Sequence, residues 1–107
     1  MELNEIIDFI DAEDIRLKKH YDWCTDKDKI VLAKIVKLNE EVGELCNEVL
    51  AATKFQRKIK LDAHSKDTLS DEFADVFITT LLLAKAMDVD IIYAIEKKIS
   101  VIKTRNY

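Results

Sequence analysis

Apolar residues recur along the chain at the three- and four-residue intervals of helices, and polar breaks divide the pattern into four segments. Ile6, Ile7, Phe9, Ile10, Ile15 and Leu17 mark a first helix over about Leu3–Lys19, with acids scattered among them. A break at about Tyr21–Asp26 precedes a long second helix ending near Arg57, with Thr25 and Asp28 at capping-box-like spacing. Within it Ile35, Leu38, Val42, Leu45 and Val49 alternate steps of three and four, the seam of a packed bundle. Lys58–Asp67 is polar and mixed in charge and reads as a connecting loop. Thr68 with Asp71 starts a third helix to about Met87, whose body from Val76 to Ala84 is apolar almost all round, as in a helix buried on every side. Asp88 or Asp90 caps a fourth, in which Ile91, Ile95, Ile99 and Ile102 form the inward stripe.

Composition agrees with an all-α protein: there is no proline, one glycine, and 36% of residues are charged. The 107 residues make one domain over positions 1–107, near the size at which oligomerisation often completes a core. A net charge of −4 gives no general attraction to nucleic acid. With no signal peptide or long apolar span, no membrane role is expected. Cys24 and Cys46 match neither a zinc spacing nor a disulfide framework, so the expected setting is a reducing cytoplasm.

Two acidic clusters then change the picture. Glu41, Glu44 and Glu48 lie beside the apolar seam of the second helix, with Glu40 preceding them, and Glu72 and Asp75 open the most apolar helix in the chain. Carboxylates three apart project from one face, so Glu41 with Glu44 and Glu72 with Asp75 form two pairs able to converge on a hard cation. Glu-rich helical segments are usually solvated faces. Against that, no Lys or Arg stands between Glu40 and Glu48, and uncompensated carboxylates near a core cost several kcal/mol each, roughly, unless a cation, proton or water meets them. At about 100° per residue Glu40 turns away from the apolar arc, toward an outer-shell position. Carboxylates without histidine or cysteine favour Mg²⁺, Mn²⁺ or Ca²⁺ over zinc. A di-iron bundle would use Glu-x-x-His pairs, but Leu17 and Leu61 stand three before His20 and His64. His64, in the loop, reads as surface. Mg²⁺ commonly shares its coordination with substrate phosphates, which suggests chemistry on a nucleotide or another phosphate ester.

Glu40-Glu41-x-x-Glu44 followed by Glu72-x-x-Asp75 resembles the signature of the MazG-like, all-α nucleoside triphosphate pyrophosphohydrolases. Arg16, His20, Asp22 and Trp23 look like the arginine- and tryptophan-containing stretch before that family's long helix; Leu45, Ala74 and Val76 fit apolar positions beside the acids. Ala94, Lys98, Arg105 and Tyr107 are similar to its closing helix and basic, aromatic end, so the likeness spans about Arg16–Tyr107. It implies a four-helix protomer in a helical-bundle dimer or dimer of dimers. It further implies hydrolysis of a (d)NTP to monophosphate and pyrophosphate, with Mg²⁺ (or Mn²⁺) held by Glu41, Glu44, Glu72 and Asp75. A metal-bound or carboxylate-held water would be the nucleophile, with Glu41 or Glu44 accepting its proton. Lys98 and Arg105, two turns apart on one face, resemble phosphate contacts, and Trp23 could stack on a base. Thr79 stands where family members often carry Tyr, and Ile102 where Asn is common, so base and sugar preference do not carry over. The rival readings are a non-enzymatic helical-bundle interaction protein with solvated acids and a metal-dependent hydrolase acting on another nucleotide.

Overall fold

The computed structural model describes residues 1–106, Ala63 in its backbone alone; Tyr107, part of the chain-end likeness, lies outside the described residues. Five helices follow one another: α1 (Leu3–His20), α2 (Lys27–Ala52), α3 (Lys58–Ala63), α4 (Lys66–Ala86) and α5 (Ile91–Lys103), and no strand occurs among the described residues. The all-α class stands, with one helix more than the apolar pattern indicates. The additional element, α3, lies in the stretch read as a loop. Its six residues are too few to show a periodicity.

Capping explains the shifted boundaries. Asp26, not Thr25, starts α2, its carboxylate accepting the Lys29 N–H at 3.1 Å. At the head of α4 the box is formed by Ser65 and Thr68, three residues before the expected Thr68–Asp71 pair. The Ser65 hydroxyl accepts the Thr68 N–H at 3.1 Å, and the Thr68 hydroxyl accepts the Ser65 N–H at 2.8 Å. Asp90 caps α5, accepting from the Tyr93 N–H at 3.1 Å.

α2 stops at Ala52, short of Arg57, because the chain turns left-handed at Lys54 (φ 63°). The Phe55 N–H then reaches back to the Leu50 carbonyl at 2.8 Å and the Lys54 N–H to Ala51 at 3.0 Å, the paired bonds of a Schellman stop. α4 ends the same way at Asp88 (φ 55°), where the Val89 N–H bonds Ala84 at 2.9 Å and the Asp88 N–H bonds Lys85 at 3.2 Å. Neither turn uses glycine. The only glycine in the chain, Gly43, lies within α2, where a Cβ would meet nothing within 4 Å.

α2 and α4 pack along each other as the main pair, α1 lies on α4, and α3 rests against the end of α2. Ile10, Ala51 and Leu81 are the buried apolar residues, and Asp14 and Glu41 are buried charges. Asp14 is paired with Lys18 at 2.9 Å, and Lys85 of α4 reaches Asp11 of α1 at 3.0 Å. That core is small. The radius of gyration is 16.8 Å, against about 13 Å for a compact chain of this length.

Two expectations about burial are corrected accordingly. α4 is not buried on every side, since Phe73 and Phe77 are exposed. The α5 stripe does not face inward, because Ile95, Ile99 and Ile102 are exposed and no α5 residue is buried. On α2, Ile35, Val42 and Val49 of the seam keep 40–44% of their surface. The apolar periodicity is real in each case, but the chain by itself supplies too few facing elements to cover it. No helix among the described residues is long and apolar enough to cross a membrane.

Candidate metal centre

Packing of α2 on α4 brings the two acidic clusters together. Glu41, Glu72 and Asp75 each offer an oxygen, and the three oxygens lie within 4.8 Å of one another. Opposite ligands of an octahedral Mg²⁺ stand about 4.2 Å apart, so small side-chain rotations would close the trio on one ion. Glu41 retains only 7% of its surface. Its Oε1 meets Lys37 Nζ at 3.1 Å, whereas its Oε2 is buried with no partner. The Oε2 of Glu72 is likewise buried and unpartnered, and these two atoms are the only such side-chain atoms among the described residues. A buried carboxylate oxygen without a donor costs free energy that a cation would recover. The donor set, all oxygen, fits a hard divalent ion.

Electrostatics point the same way. The Glu72 carboxyl is held above the usual carboxylate range, first by burial and then by the neighbouring charges of Glu44, Asp75 and Glu41. Glu44 is exposed and lies outside the trio, but its charge raises Glu72 more than either of the other two acids does. Glu40 is exposed, and Lys37 Nζ approaches it at 3.7 Å. Lys37 also corrects the expectation of missing countercharge: no cation stands between the acids, yet one stands a single turn before Glu41. Its ammonium is held above the usual lysine range, chiefly by the bond to Glu41.

Beside the acids a cavity of about 580 Å³ opens between α1, the first half of α2, and α4. Ile78, Thr79 and Leu82 line it from α4; Phe9, Glu13, Arg16 and Leu17 from α1; Lys29, Ile30, Ala33, Lys34 and Lys37 from α2. Tyr21, Trp23 and Cys24 of the α1–α2 connection complete the lining. Trp23 is 79% exposed and meets Tyr21 edge-to-face at 6.4 Å. Thr79 ties the cavity to the acids through the backbone, its hydroxyl donating to the Asp75 carbonyl at 2.7 Å. Four cations line the space against one acid, and that acid, Glu13, is paired with Arg16 at 2.8 Å. In a chain of net charge −4, this is a local reversal of sign.

Of the residues singled out from sequence, Glu41, Glu72 and Asp75 come together, Glu44 adjoins them, and Trp23 lines the neighbouring cavity. Lys98 and Arg105 lie on or just after α5, exposed, and do not line it. The lysines of α2 escaped the sequence reading, although a signal was present: Lys34, Lys37 and Glu41 step by three and four, which aligns both lysines with Glu41 along one helix face.

His64 is also corrected, since it is not a free surface residue. Its Nδ1 lies 2.7 Å from Glu48 Oε2, which accepts a further bond from the Thr68 hydroxyl at 2.9 Å. This cluster ties α2 to the start of α4, two turns along α2 from Glu41. The Glu48 carboxyl is held below its usual range, chiefly by the hydrogen bond with His64. A lowered folded value means that its stabilisation is present above the unfolded value, about 4.3, and is lost as pH falls through the folded one. The melting-temperature deficit of Glu48→Gln is therefore expected to be full at neutral pH and to shrink below about pH 4. Thermal melts of both proteins across that range check it, and a deficit that does not vary with pH would count against the linkage.

No family model matches the chain, and neither a curated protein nor a solved structure matches it.

Proposed function

We propose that this chain is a Mg²⁺-dependent nucleoside triphosphate pyrophosphohydrolase, cleaving a (d)NTP between the α and β phosphates to give (d)NMP and pyrophosphate. The observation that carries this reading is a trio of carboxylates with two orphaned buried oxygens, next to a cavity that pairs aromatic residues with lysines. The likeness of Glu40-Glu41-x-x-Glu44 and Glu72-x-x-Asp75 to the MazG-like signature supports the same conclusion.

On this reading Glu41, Glu72 and Asp75 hold the cation, with Glu44 completing the set. A divalent ion there, Mg²⁺ or Mn²⁺, supplies charge neutralisation for the triphosphate and a lowered pKa for the attacking water. Lys29, Lys34 and Lys37 meet phosphate oxygens, while Trp23 and Tyr21 offer the base a stacking surface, worth about 1–3 kcal/mol per base in comparable sites. Glu44, exposed and without a lysine on its carboxylate, is the group to take the proton from water. Water's oxygen bonds to the α-phosphorus as the bond to the bridging oxygen breaks, and pyrophosphate leaves.

The assembly belonging to this reading is a homodimer or dimer of dimers. A second copy would cover Ile35, Val42 and Val49 of α2 and the apolar face of α5, and could carry Lys98 and Arg105 to the triphosphate. Free Cys24 and Cys46 suit a cytoplasmic setting. The exposed seams equally suit a bundle-forming interaction protein without activity, and the decisive experiment separates the two. The purified chain is incubated with each (d)NTP, with and without Mg²⁺, and the products are identified. Pyrophosphate and monophosphate that form only with metal are expected. Orthophosphate with diphosphate, or no metal-dependent product from any nucleotide, would overturn the assignment.

A further inference from the structure

Lys37 occupies a position no other described residue shares: it lines the cavity and its ammonium also reaches the acid trio, at 3.1 Å from Glu41 Oε1. The bond is intrahelical, one turn long, and the lysine side chain is 58% exposed, so the ammonium can leave Glu41 without disturbing the fold. A cation entering the trio would compete with it directly, because a divalent ion within reach of Glu41 repels an ammonium bonded to the same carboxylate. Displaced, the flexible lysine has a place to go: the cavity wall, beside Lys34, where an anionic ligand would sit.

We propose that Lys37 is an exchangeable counter-ion, bonded to Glu41 while the acid trio lacks metal and transferred to a ligand phosphate when a divalent cation takes that carboxylate. This rests on the metal-centre reading above. One side chain thereby serves two opposed purposes, suppressing metal binding in the absence of nucleotide and strengthening nucleotide binding in the presence of metal. The two ligands become coupled, since phosphate gives the displaced ammonium a partner and so favours the metal-bound arrangement.

The opposed signs make the test specific. Mn²⁺ is titrated by electron paramagnetic resonance into wild type, Lys37→Met, Lys37→Arg and Lys34→Met without nucleotide, and nucleoside triphosphate affinity is then measured with Mn²⁺ saturating. Lys37→Met is expected to bind Mn²⁺ about threefold to fivefold more tightly, the scale of losing one half-exposed ion pair, yet to bind triphosphate about tenfold more weakly. Lys37→Arg should restore both values toward wild type. Lys34→Met, which removes a cavity cation not bonded to Glu41, should change Mn²⁺ affinity less than about twofold. Weaker or unchanged Mn²⁺ binding in Lys37→Met overturns the exchange while leaving the metal centre standing. Failure of wild type to bind Mn²⁺ overturns both.

Discussion

Replacing Glu41 with glutamine is expected to lower kcat/KM for nucleoside triphosphate hydrolysis at least about a hundredfold, and Asp75→Asn to do the same. The cation is assigned several kcal/mol of charge stabilisation in the transition state, and about 1.4 kcal/mol is a tenfold change in rate. Both substitutions keep the shape of the side chain and remove the charge that holds the ion. Glu41→Gln also places an amide in a buried site and leaves Lys37 without its carboxylate. Helicity should survive, because the helix backbone bonds do not involve these side chains. Circular dichroism and steady-state kinetics on the same preparations check both halves. Activity within about threefold of wild type in both variants would remove the acid trio from the mechanism.

A comparably large effect is expected on stability. A divalent cation at about a hundred times its dissociation constant stabilises the folded state by about 2.7 kcal/mol, which for a chain of this size raises the melting midpoint by roughly 10–20 °C. The pH dependence carries a sign. The Glu72 value in the fold is raised, so its contribution without metal is fully present below the unfolded value and is lost as pH rises through the folded one. Bound metal requires deprotonated carboxylates, so the stabilisation by Mg²⁺ or Mn²⁺ should grow across the same interval. Melts at about pH 5 and about pH 7.5, with metal and with chelator, measure both trends. A midpoint indifferent to metal, or a metal gain that shrinks with rising pH, contradicts the site.

The parts of this molecule legible in its sequence are those decided within a few residues. The start of α1, the end of α4 and the Asp90 cap follow from local apolar spacing and side-chain chemistry. Glu72 and Asp75 were legible as a pair from their spacing on one helix, whereas their meeting with Glu41 depends on α2 packing against α4, and Glu44, paired with Glu41 by the same spacing, falls outside the trio. What escaped depends on which elements meet. α3 is held by contacts made far along the chain, among them Lys60 Nζ on Asn47 at 3.4 Å, and its polar sequence looks like a loop without them. The partnership of His64 with Glu48 spans sixteen positions and needed the same fold-back to become visible. The stripe of α5 was legible as a stripe, but its direction was not, since periodicity marks a face to be covered and says nothing of what covers it.

The helices bearing the acids both end on left-handed residues, Lys54 and Asp88, held by backbone bonds rather than by the freedom of a glycine. This makes the chain unequal in its tolerance of insertions and deletions. A residue added between Glu41 and Thr53 turns one end of α2 against the other by about 100°, so either Glu41 swings off α4 or the stop loses its seat. The same residue added at Gln56 or Arg57 falls past the stop, where no helix has yet resumed. Variation in length is thus admitted by the connection between α2 and α3 and refused by the helical stretch that measures the distance from stop to acid trio.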